Sequence, residues 1–209
     1  MRLSLCIRRI RRRLRQLRSS PLLRDEILIH TKMSRILILY STTDGHTIKI
    51  SDRLRQVLEQ QEHDVTVASI TGYQDLDLLS FDKIVIGASI RYGKHSKPVF
   101  DFIDKNRALL ESRPSAFFSV NIVARKKGKD SPAGNPYMRK FLRITAWQPK
   151  TLAVFAGKLD YPKYRLFDRL MIQLIMLITK GPTDSSAVIE FTDWTKVEDF
   201  GRRVGAMRD

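Results

Sequence analysis

The residues with the clearest chemical potential follow a short apolar stretch near the start of the chain. Residues 36–40 are mostly apolar and predict a buried β-strand, which runs directly into the loop Ser41-Thr42-Thr43-Asp44-Gly45-His46-Thr47. A helix is expected to begin in this loop, so that its unpaired N–H groups and positive dipole end face a bound anion. The hydroxyl side chains add further donors. The stretch predicts a phosphate-binding loop; the alternative is an ordinary turn with a Ser/Thr/Asp helix cap.

Two further loops leave predicted strands with polar or aromatic side chains. One is Ser89-Ile90-Arg91-Tyr92-Gly93, and the other runs from Asn121 through Ile122 and Val123 to Arg125. Open α/β sheets bind ligands at the carboxyl ends of their strands, so these loops are expected to meet the first. The chain has neither Gly-x-Gly-x-x-Gly nor Gly-Lys-Ser/Thr, which disfavours dinucleotides and nucleoside triphosphates. A monophosphate held by neutral donors, with a flat ring against Tyr92, describes a flavin mononucleotide (FMN) site.

The elements that must position these loops alternate along the chain. Strands are predicted at 36–40, 64–70, 83–88, 115–121 and 151–157, and helices at 45–61, 98–110 and 137–147. Val197, Phe200, Val204 and Met207 mark a C-terminal amphipathic helix. The continuous apolar run at 83–88 is typical of a strand buried on both faces of a parallel sheet. Five βα units predict a doubly wound α/β sandwich.

Charge and cysteine content restrict the partners and the metal chemistry. The 209 residues carry a net charge of +16, and residues 1–32 hold ten basic side chains against two acidic ones. This balance favours anionic partners, namely nucleic acid, a phospholipid surface, or carboxylate and phosphate ligands. Cys6 is the only cysteine, and the four histidines have no ligand spacing, so no disulfide and no metal site are predicted. Because basic residues are not interleaved with aromatic ones, no nucleic-acid partner is expected.

Residues 1–32 form a basic leader that differs in composition from the rest of the chain. Its arginines lie among Leu and Ile, with no acid before Asp25. Such a segment is typical of an organelle transit peptide or a basic membrane-surface helix. The alternatives are that the leader is disordered, or that it is a misassigned start and translation begins at Met33. The predicted division is therefore a leader, 1–32, and one domain, 33–209.

One segment interrupts the alternation of strands and helices. Residues 166–179 are apolar almost all round, are flanked by basic residues such as Lys163 and Arg169, and precede a strand-like piece at 187–191. At about 1.5 Å per residue this run covers about 21 Å, too short for a hydrocarbon core of about 30 Å. Three interpretations stay open: a buried core helix, an interfacial membrane contact, and a wall for an apolar substrate.

The first loop resembles the phosphate loop of flavodoxins, whose pattern is Ser/Thr-x-Thr-Gly-x-Thr. Asp44 departs from it, standing where the pattern has threonine. Longer blocks, at 86–93, 119–126, 156–164 and 192–194, resemble the bacterial menaquinone-dependent protoporphyrinogen IX dehydrogenases. The resemblance covers nearly all of 33–207. It implies a flavodoxin-like three-layer α/β sandwich with a five-stranded parallel sheet, whose fifth strand is interrupted by a helical insert at 159–186.

The resemblance also implies a function. Protoporphyrinogen IX would be oxidised to protoporphyrin IX in haem biosynthesis, with FMN as cofactor and six electrons passed to menaquinone or ubiquinone. The enzyme would lie peripherally on the cytoplasmic face of the bacterial inner membrane, held through the insert, and an oligomer is compatible with it. Aromatisation drives the oxidation, so no catalytic base is assigned. The alternative within the fold is an NAD(P)H-dependent quinone reductase or an electron carrier.

The expected cofactor-binding residues come from the three loops and the strand before the third. They are Thr42, Thr43, Asp44, Gly45, His46 and Thr47 around the phosphate, and Ser89, Ile90, Arg91, Tyr92, Gly93, Phe117, Ser119, Val120, Asn121, Ile122 and Val123 around the ring. Lys94 and Arg91 are candidates for stabilising negative charge on a reduced flavin, with solvated surface cations as the alternative. His95 is a candidate contact for a substrate propionate, or otherwise a polar surface residue.

Overall fold

A five-stranded parallel sheet forms the centre of the domain. The computed structural model describes residues 33–164, 166–178 and 181–208, so the predictions for the leader lie outside the described residues. The strands of this sheet are β1 (Arg35–Ser41), β2 (Asp64–Ser69), β3 (Lys83–Ser89), β4 (Ser115–Val120) and β5 (Thr151–Phe155). Their spatial order is β2-β1-β3-β4-β5, and every pairing is parallel. The predicted doubly wound sheet is confirmed.

Helices cover both faces of this sheet, as the predicted sandwich requires. They are α1 (His46–Glu59), α2 (Lys97–Lys105), α3 (Arg107–Glu111), α4 (Pro136–Ile144) and α6 (Trp194–Gly205), while α5 (Leu166–Ile178) belongs to the insert. One core joins α1 and α6 to the sheet around Phe118 and Phe200, and the other joins α2, α3 and α4 around Phe117 and Phe141. The single helix predicted at 98–110 is divided at Asn106, whose backbone leaves the helical region.

The strand register brings the three functional loops to one edge of the sheet. Ser41 at the end of β1 pairs with Ala88, and Ser89 at the end of β3 pairs with Val120 at the end of β4. Because the chain places β2 on one side of β1 and β3 on the other, the loops after β1 and β3 diverge at a topological switch point. Such a point is where ligands bind in open α/β sheets.

The insert forms a small unit of its own after β5. Short strands β6 (Lys158–Asp160) and β7 (Val188–Glu190) pair antiparallel in a separate two-stranded ribbon, with α5 between them. The piece beyond the insert thus pairs with β6 rather than returning to the main sheet. It contacts the segment after β5 through the Phe191 N–H, which donates to the Gly157 carbonyl at 3.1 Å, and through the Thr192 hydroxyl, which donates to the Ala156 carbonyl at 2.8 Å. Met176 is the one α5 residue classed as buried among those described, which excludes the core-helix interpretation.

Candidate functional site

A cavity of about 440 Å³ opens where the three loops meet. One wall comes from the loop after β1, a second from residues 89–93, and a third from residues 120–123. The insert closes a further side. The cavity therefore lies at the switch point that the sheet order defines, and the loops singled out from the sequence are its walls.

The loop after β1 is built to present donors. Gly45 adopts a left-handed backbone (φ +81°), and its N–H donates to the Thr42 hydroxyl at 3.0 Å, turning the chain into α1. Thr47 is fully buried in the first turn of α1, yet its hydroxyl has no hydrogen-bond partner among the described residues. The same holds for His46 Nδ1, while His46 Nε2 lies 2.6 Å from the Thr192 hydroxyl. Buried polar atoms are normally satisfied, so this loop suits a ligand that supplies partners.

The loop after β4 is held by a buried asparagine. The Asn121 side-chain oxygen accepts from the Ala124 N–H at 3.1 Å and from Asn135 Nδ2 at 3.1 Å. These bonds cap a short 3₁₀ turn at Ile122–Arg125 and tie it to the start of α4. Buried side-chain hydrogen bonds thus hold the third wall of the cavity in place.

An ionic network links the first two loops to the insert. Arg91 Nη1 lies 3.2 Å from Asp44 Oδ2, and Arg91 Nη2 lies 2.5 Å from Asp168 Oδ2 on α5. The Tyr92 hydroxyl also donates to Asp168. The Arg91 guanidinium stands over the Tyr164 ring, 5.6 Å from its centroid. Asp44, the departure from the flavodoxin pattern, is therefore paired to an arginine.

Burial shifts the pKa of the acidic and basic groups of the first loop. Desolvation raises the pKa of the Asp44 carboxyl above its ordinary value, with Arg91 acting in the opposite direction. Desolvation also lowers the pKa of the His46 imidazole, so that histidine is neutral at physiological pH. A phosphate at this loop would meet neutral donors and helix amides in the first place, not a free cation.

The insert supplies an apolar wall that faces the loops. Met171, Ile172, Ile175 and Met176 of α5 line the cavity together with Tyr164. Burial raises the pKa of the Tyr164 hydroxyl, so this side chain stays protonated and neutral. A ligand with a polar phosphate end and a flat apolar end matches the two sides of the cavity.

Most of the expected cofactor residues line this cavity, and four do not. Those that line it are Thr42, Asp44, His46, Thr47, Ser89, Ile90, Arg91, Tyr92, Gly93, Val120, Asn121, Ile122 and Val123. Thr43 faces a neighbouring cavity, and Gly45 shapes the turn. Phe117 and Ser119 lie in the core instead: Phe117 stacks on Phe141 with ring centroids 3.9 Å apart, and the Ser119 hydroxyl lies 3.0 Å from His95 Nε2.

Some lining residues were not expected from the sequence. Asp168 and the α5 residues approach the site only because the insert folds back over the loops. The apolar run pointed to a substrate wall as one of three interpretations, but no local signal marked Asp168. Tyr137, at the start of α4, also lines the cavity, and nothing in its sequence surroundings indicated this position.

Comparison with known proteins decides the family. Residues 37–186 match the model described as a flavodoxin domain. A protoporphyrinogen IX dehydrogenase (quinone) of Escherichia coli strain K12 is 42% identical over 175 residues, which span 84% of this chain and 97% of the relative. The chain belongs to this family of flavodoxin-type, quinone-dependent protoporphyrinogen IX dehydrogenases.

A eukaryotic relative and a solved structure agree with this membership. The protoporphyrinogen IX dehydrogenase (quinone) of Leishmania major is 42% identical over 174 residues, or 83% of this chain and 75% of the relative. The solution structure of two-electron reduced Megasphaera elsdenii flavodoxin is similar at a TM-score of 0.50 and 13% identity, covering 82% of this chain and 99% of that one. At this identity the likeness concerns the fold alone.

Within residues 33–164, 166–178 and 181–208, no helix combines the length and the apolar character needed to cross a bilayer. The apolar α5 is 13 residues long.

Proposed function

We propose that this protein oxidises protoporphyrinogen IX to protoporphyrin IX with FMN as cofactor and a quinone as electron acceptor. The observation that carries the proposal is the combination of a phosphate-type loop and an apolar insert wall around one cavity, in a chain that belongs to this family. Six electrons and six protons leave the porphyrinogen, and three quinones are reduced to quinols. When bound, FMN supplies the two-electron redox chemistry.

The chain's own residues bind and orient the cofactor. The α1 N-terminal amides and the Thr47 hydroxyl hold the phosphate, and the Thr42 hydroxyl fixes the turn that aims these donors. Residues 89–93 and 120–123 border the ring. Tyr164, Met171 and Ile172 would exclude water from the apolar side of the ring, which strengthens the polar contacts inside the site.

Residues 33–209 form the FMN-binding domain in this proposal, and the insert holds it at a membrane surface. The outer face of the insert helix consists of Leu166, Phe167, Leu170, Leu174, Leu177 and Ile178, each at least half exposed. Large apolar side chains grouped on one helix surface mark an interaction site. Because α5 also lines the cavity, an apolar quinone and a porphyrinogen can reach the site from the lipid interface. The proposed location is the cytoplasmic face of the bacterial inner membrane.

The proposal is tested with the purified full-length chain. Heating should release FMN and not FAD, and anaerobic protoporphyrinogen IX should bleach the flavin bands, which a quinone should then restore. A colourless protein that takes up no FMN would contradict the cofactor assignment. If NADPH bleaches the flavin and protoporphyrinogen IX does not, the protein is a quinone reductase.

A further inference from the structure

A second cavity of about 440 Å³ adjoins the one proposed to hold FMN. The two cavities share the loop 89–93, Thr42 and Tyr137 as a common wall. The second cavity is completed by Ser41, Thr43, residues 94–97 and the α2 and α4 residues Phe100, Lys140, Phe141 and Ile144. A molecule larger than the first cavity can thus continue into the second along one loop.

The charges around this second cavity all have one sign. Lys94, Lys97 and Lys140 line it, as does Arg91, and its lining contains no Asp or Glu. Lys97 is neutralised by Asp101, with Nζ to oxygen distances of 2.6 and 2.8 Å. Lys94 and Lys140 make no ion pair with any residue that the structure describes, and both are exposed. Two unpaired ammonium groups therefore rim the cavity.

Much of the remaining lining is apolar or aromatic, beside hydroxyl side chains such as those of Ser41, Thr43 and Ser96. Ile144 is 58% exposed and Tyr92 is 64% exposed, so both present large apolar area at the mouth. Beneath them lie Phe100 and Phe141, and Phe141 is fixed by its stacking on Phe117. His95 packs edge-on against Phe141 at 5.4 Å and is buried, so it adds no cation to this floor.

One hairpin orients the cations of both cavities. Arg91 and Lys94 form an isolated bridge, with N–H to carbonyl distances of 3.0 and 3.2 Å. Tyr92 and Gly93 turn the chain between them with positive φ values of 49° and 74°. Arg91 is held by Asp44 and Asp168 beside the first cavity, while Lys94 is left for the second. The tight turn fixes the spacing between the two sites.

We propose that the second cavity binds the propionate-bearing edge of the tetrapyrrole substrate, with Lys94 and Lys140 pairing to its two carboxylates. This inference rests on the proposed function. A porphyrinogen is a large apolar ring system with two carboxylates on one edge, and the cavity offers apolar walls with two unpaired cations at its rim. A small inorganic anion would use the lysines but not the aromatic walls. The shared loop lets the rest of the macrocycle extend toward the flavin.

The test uses the FMN-loaded full-length protein and two stable probes, protoporphyrin IX and its dimethyl ester. Binding is followed by porphyrin fluorescence, and KM and kcat for protoporphyrinogen IX are measured anaerobically. The double variant Lys94→Gln/Lys140→Gln should raise Kd and KM for the diacids by roughly fivefold for each lysine removed, with kcat little changed. Binding of the dimethyl ester should be the same in both proteins. The double Lys→Arg variant should restore diacid binding.

A matched control is Lys105→Gln, which removes an equally charged side chain at the end of α2, outside both cavity linings. Equal diacid binding by the double variant and the unsubstituted protein would overturn this inference. The proposed function, oxidation of the porphyrinogen, would still stand. If the double variant loses NADPH binding and still binds the porphyrin like the unsubstituted protein, the second cavity is a dinucleotide site instead. If the unsubstituted protein neither binds the porphyrin nor oxidises the porphyrinogen, the proposed function itself fails.

Discussion

Arg91 and Asp168 form an ion pair of 2.5 Å that joins the loop after β3 to the helix of the insert. The same guanidinium contacts Asp44 of the first loop, so three segments distant in sequence meet at one side chain. Only 23% of the Arg91 side chain and 14% of the Asp168 side chain are exposed, which limits screening by water and salt. The pair therefore holds the insert against the loops after β1 and β3.

Asp168→Asn should loosen the insert without unfolding the domain. Asparagine keeps the shape of the side chain but loses the charge, and a charge-assisted hydrogen bond contributes about 1.5–3 kcal/mol. Deuterium uptake and proteolysis within 166–178 should rise, while the main unfolding transition stays close to that of the unsubstituted protein.

Two further variants isolate this effect. Tyr92→Phe removes another hydrogen bond to Asp168 and should give a smaller change in the same direction. Glu111→Gln breaks the exposed ion pair with Arg107 on α3 and should leave the insert unaffected. Unchanged exchange in Asp168→Asn would mean that the ion pair does not hold the insert.

Thr47→Val should weaken FMN binding and leave the fold intact. Valine has nearly the same shape as threonine, and the buried Thr47 hydroxyl has no partner in the described part of the chain, so its loss costs the apoprotein nothing. Removing one hydrogen bond to the phosphate should raise the FMN dissociation constant by about tenfold. Fluorescence titration of the apoprotein measures this constant.

Riboflavin lacks the phosphate, so it tests whether Thr47 acts on the phosphate or on the rest of the cofactor. Its affinity should be the same for Thr47→Val and for the unsubstituted protein. Thr71→Val, at an exposed position after β2, is the matched control and should change neither affinity. An equal loss of riboflavin and FMN affinity would show that Thr47 acts on the ring or on folding, and not on the phosphate.

Asp44 shows what the sequence could and could not specify about the site. The loop type followed from local pattern, because a strand, hydroxyls and a glycine lie next to one another along the chain. The role of Asp44 did not, since its partner Arg91 stands 47 residues away and Asp168 joins them only through the fold of the insert. Long-range pairing of charged side chains leaves no periodic signal in the sequence.

Phe117 and Ser119 show a second limit of local pattern. Every residue of β4 is buried, because helices cover both faces of the sheet. A continuous apolar run predicts a strand that is buried on both faces. It does not indicate which of its residues reach the carboxyl edge of the sheet. The strand was therefore predicted correctly. The set of residues expected around the ring, however, included these two, which lie in the core and not in the cavity lining.

His95→Gln should change how stability depends on pH. Burial lowers the pKa of His95 to about 4, so protonation is disfavoured in the folded state. The neutral histidine contributes its full stability above its unfolded pKa of about 6.5, and this contribution is lost as pH falls toward 4. Between about pH 7 and about pH 4.5 the unsubstituted protein should lose about 2 kcal/mol through this group.

Glutamine cannot titrate, and its amide can still reach the Ser119 hydroxyl that now faces His95 Nε2. The unfolding free energy of His95→Gln, measured by urea at several pH values, should therefore fall less steeply with acid. His46 and His63 are also shifted downward by burial and remain in both proteins, so they cancel in the comparison. Parallel pH profiles for the two proteins would contradict a neutral, buried His95.

Leu170→Glu/Leu174→Glu should release the protein from membranes while leaving the cofactor site intact. Leu170 is 64% and Leu174 is 51% exposed, on the outer face of the insert helix and outside the cavity lining. Burying each leucine in lipid is worth about 1.5–3 kcal/mol, so two charged replacements should lower vesicle partitioning by at least about a hundredfold. Co-sedimentation with anionic vesicles measures it, and the flavin spectrum should stay unchanged. Leu79→Glu, at a site 71% exposed within the 3₁₀ turn Leu78–Ser80, is the control that should sediment like the unsubstituted protein. Because Lys163 precedes the helix and Arg169 lies within it, added salt should weaken binding only in part. Equal sedimentation of the double variant and the unsubstituted protein would assign membrane contact to another surface.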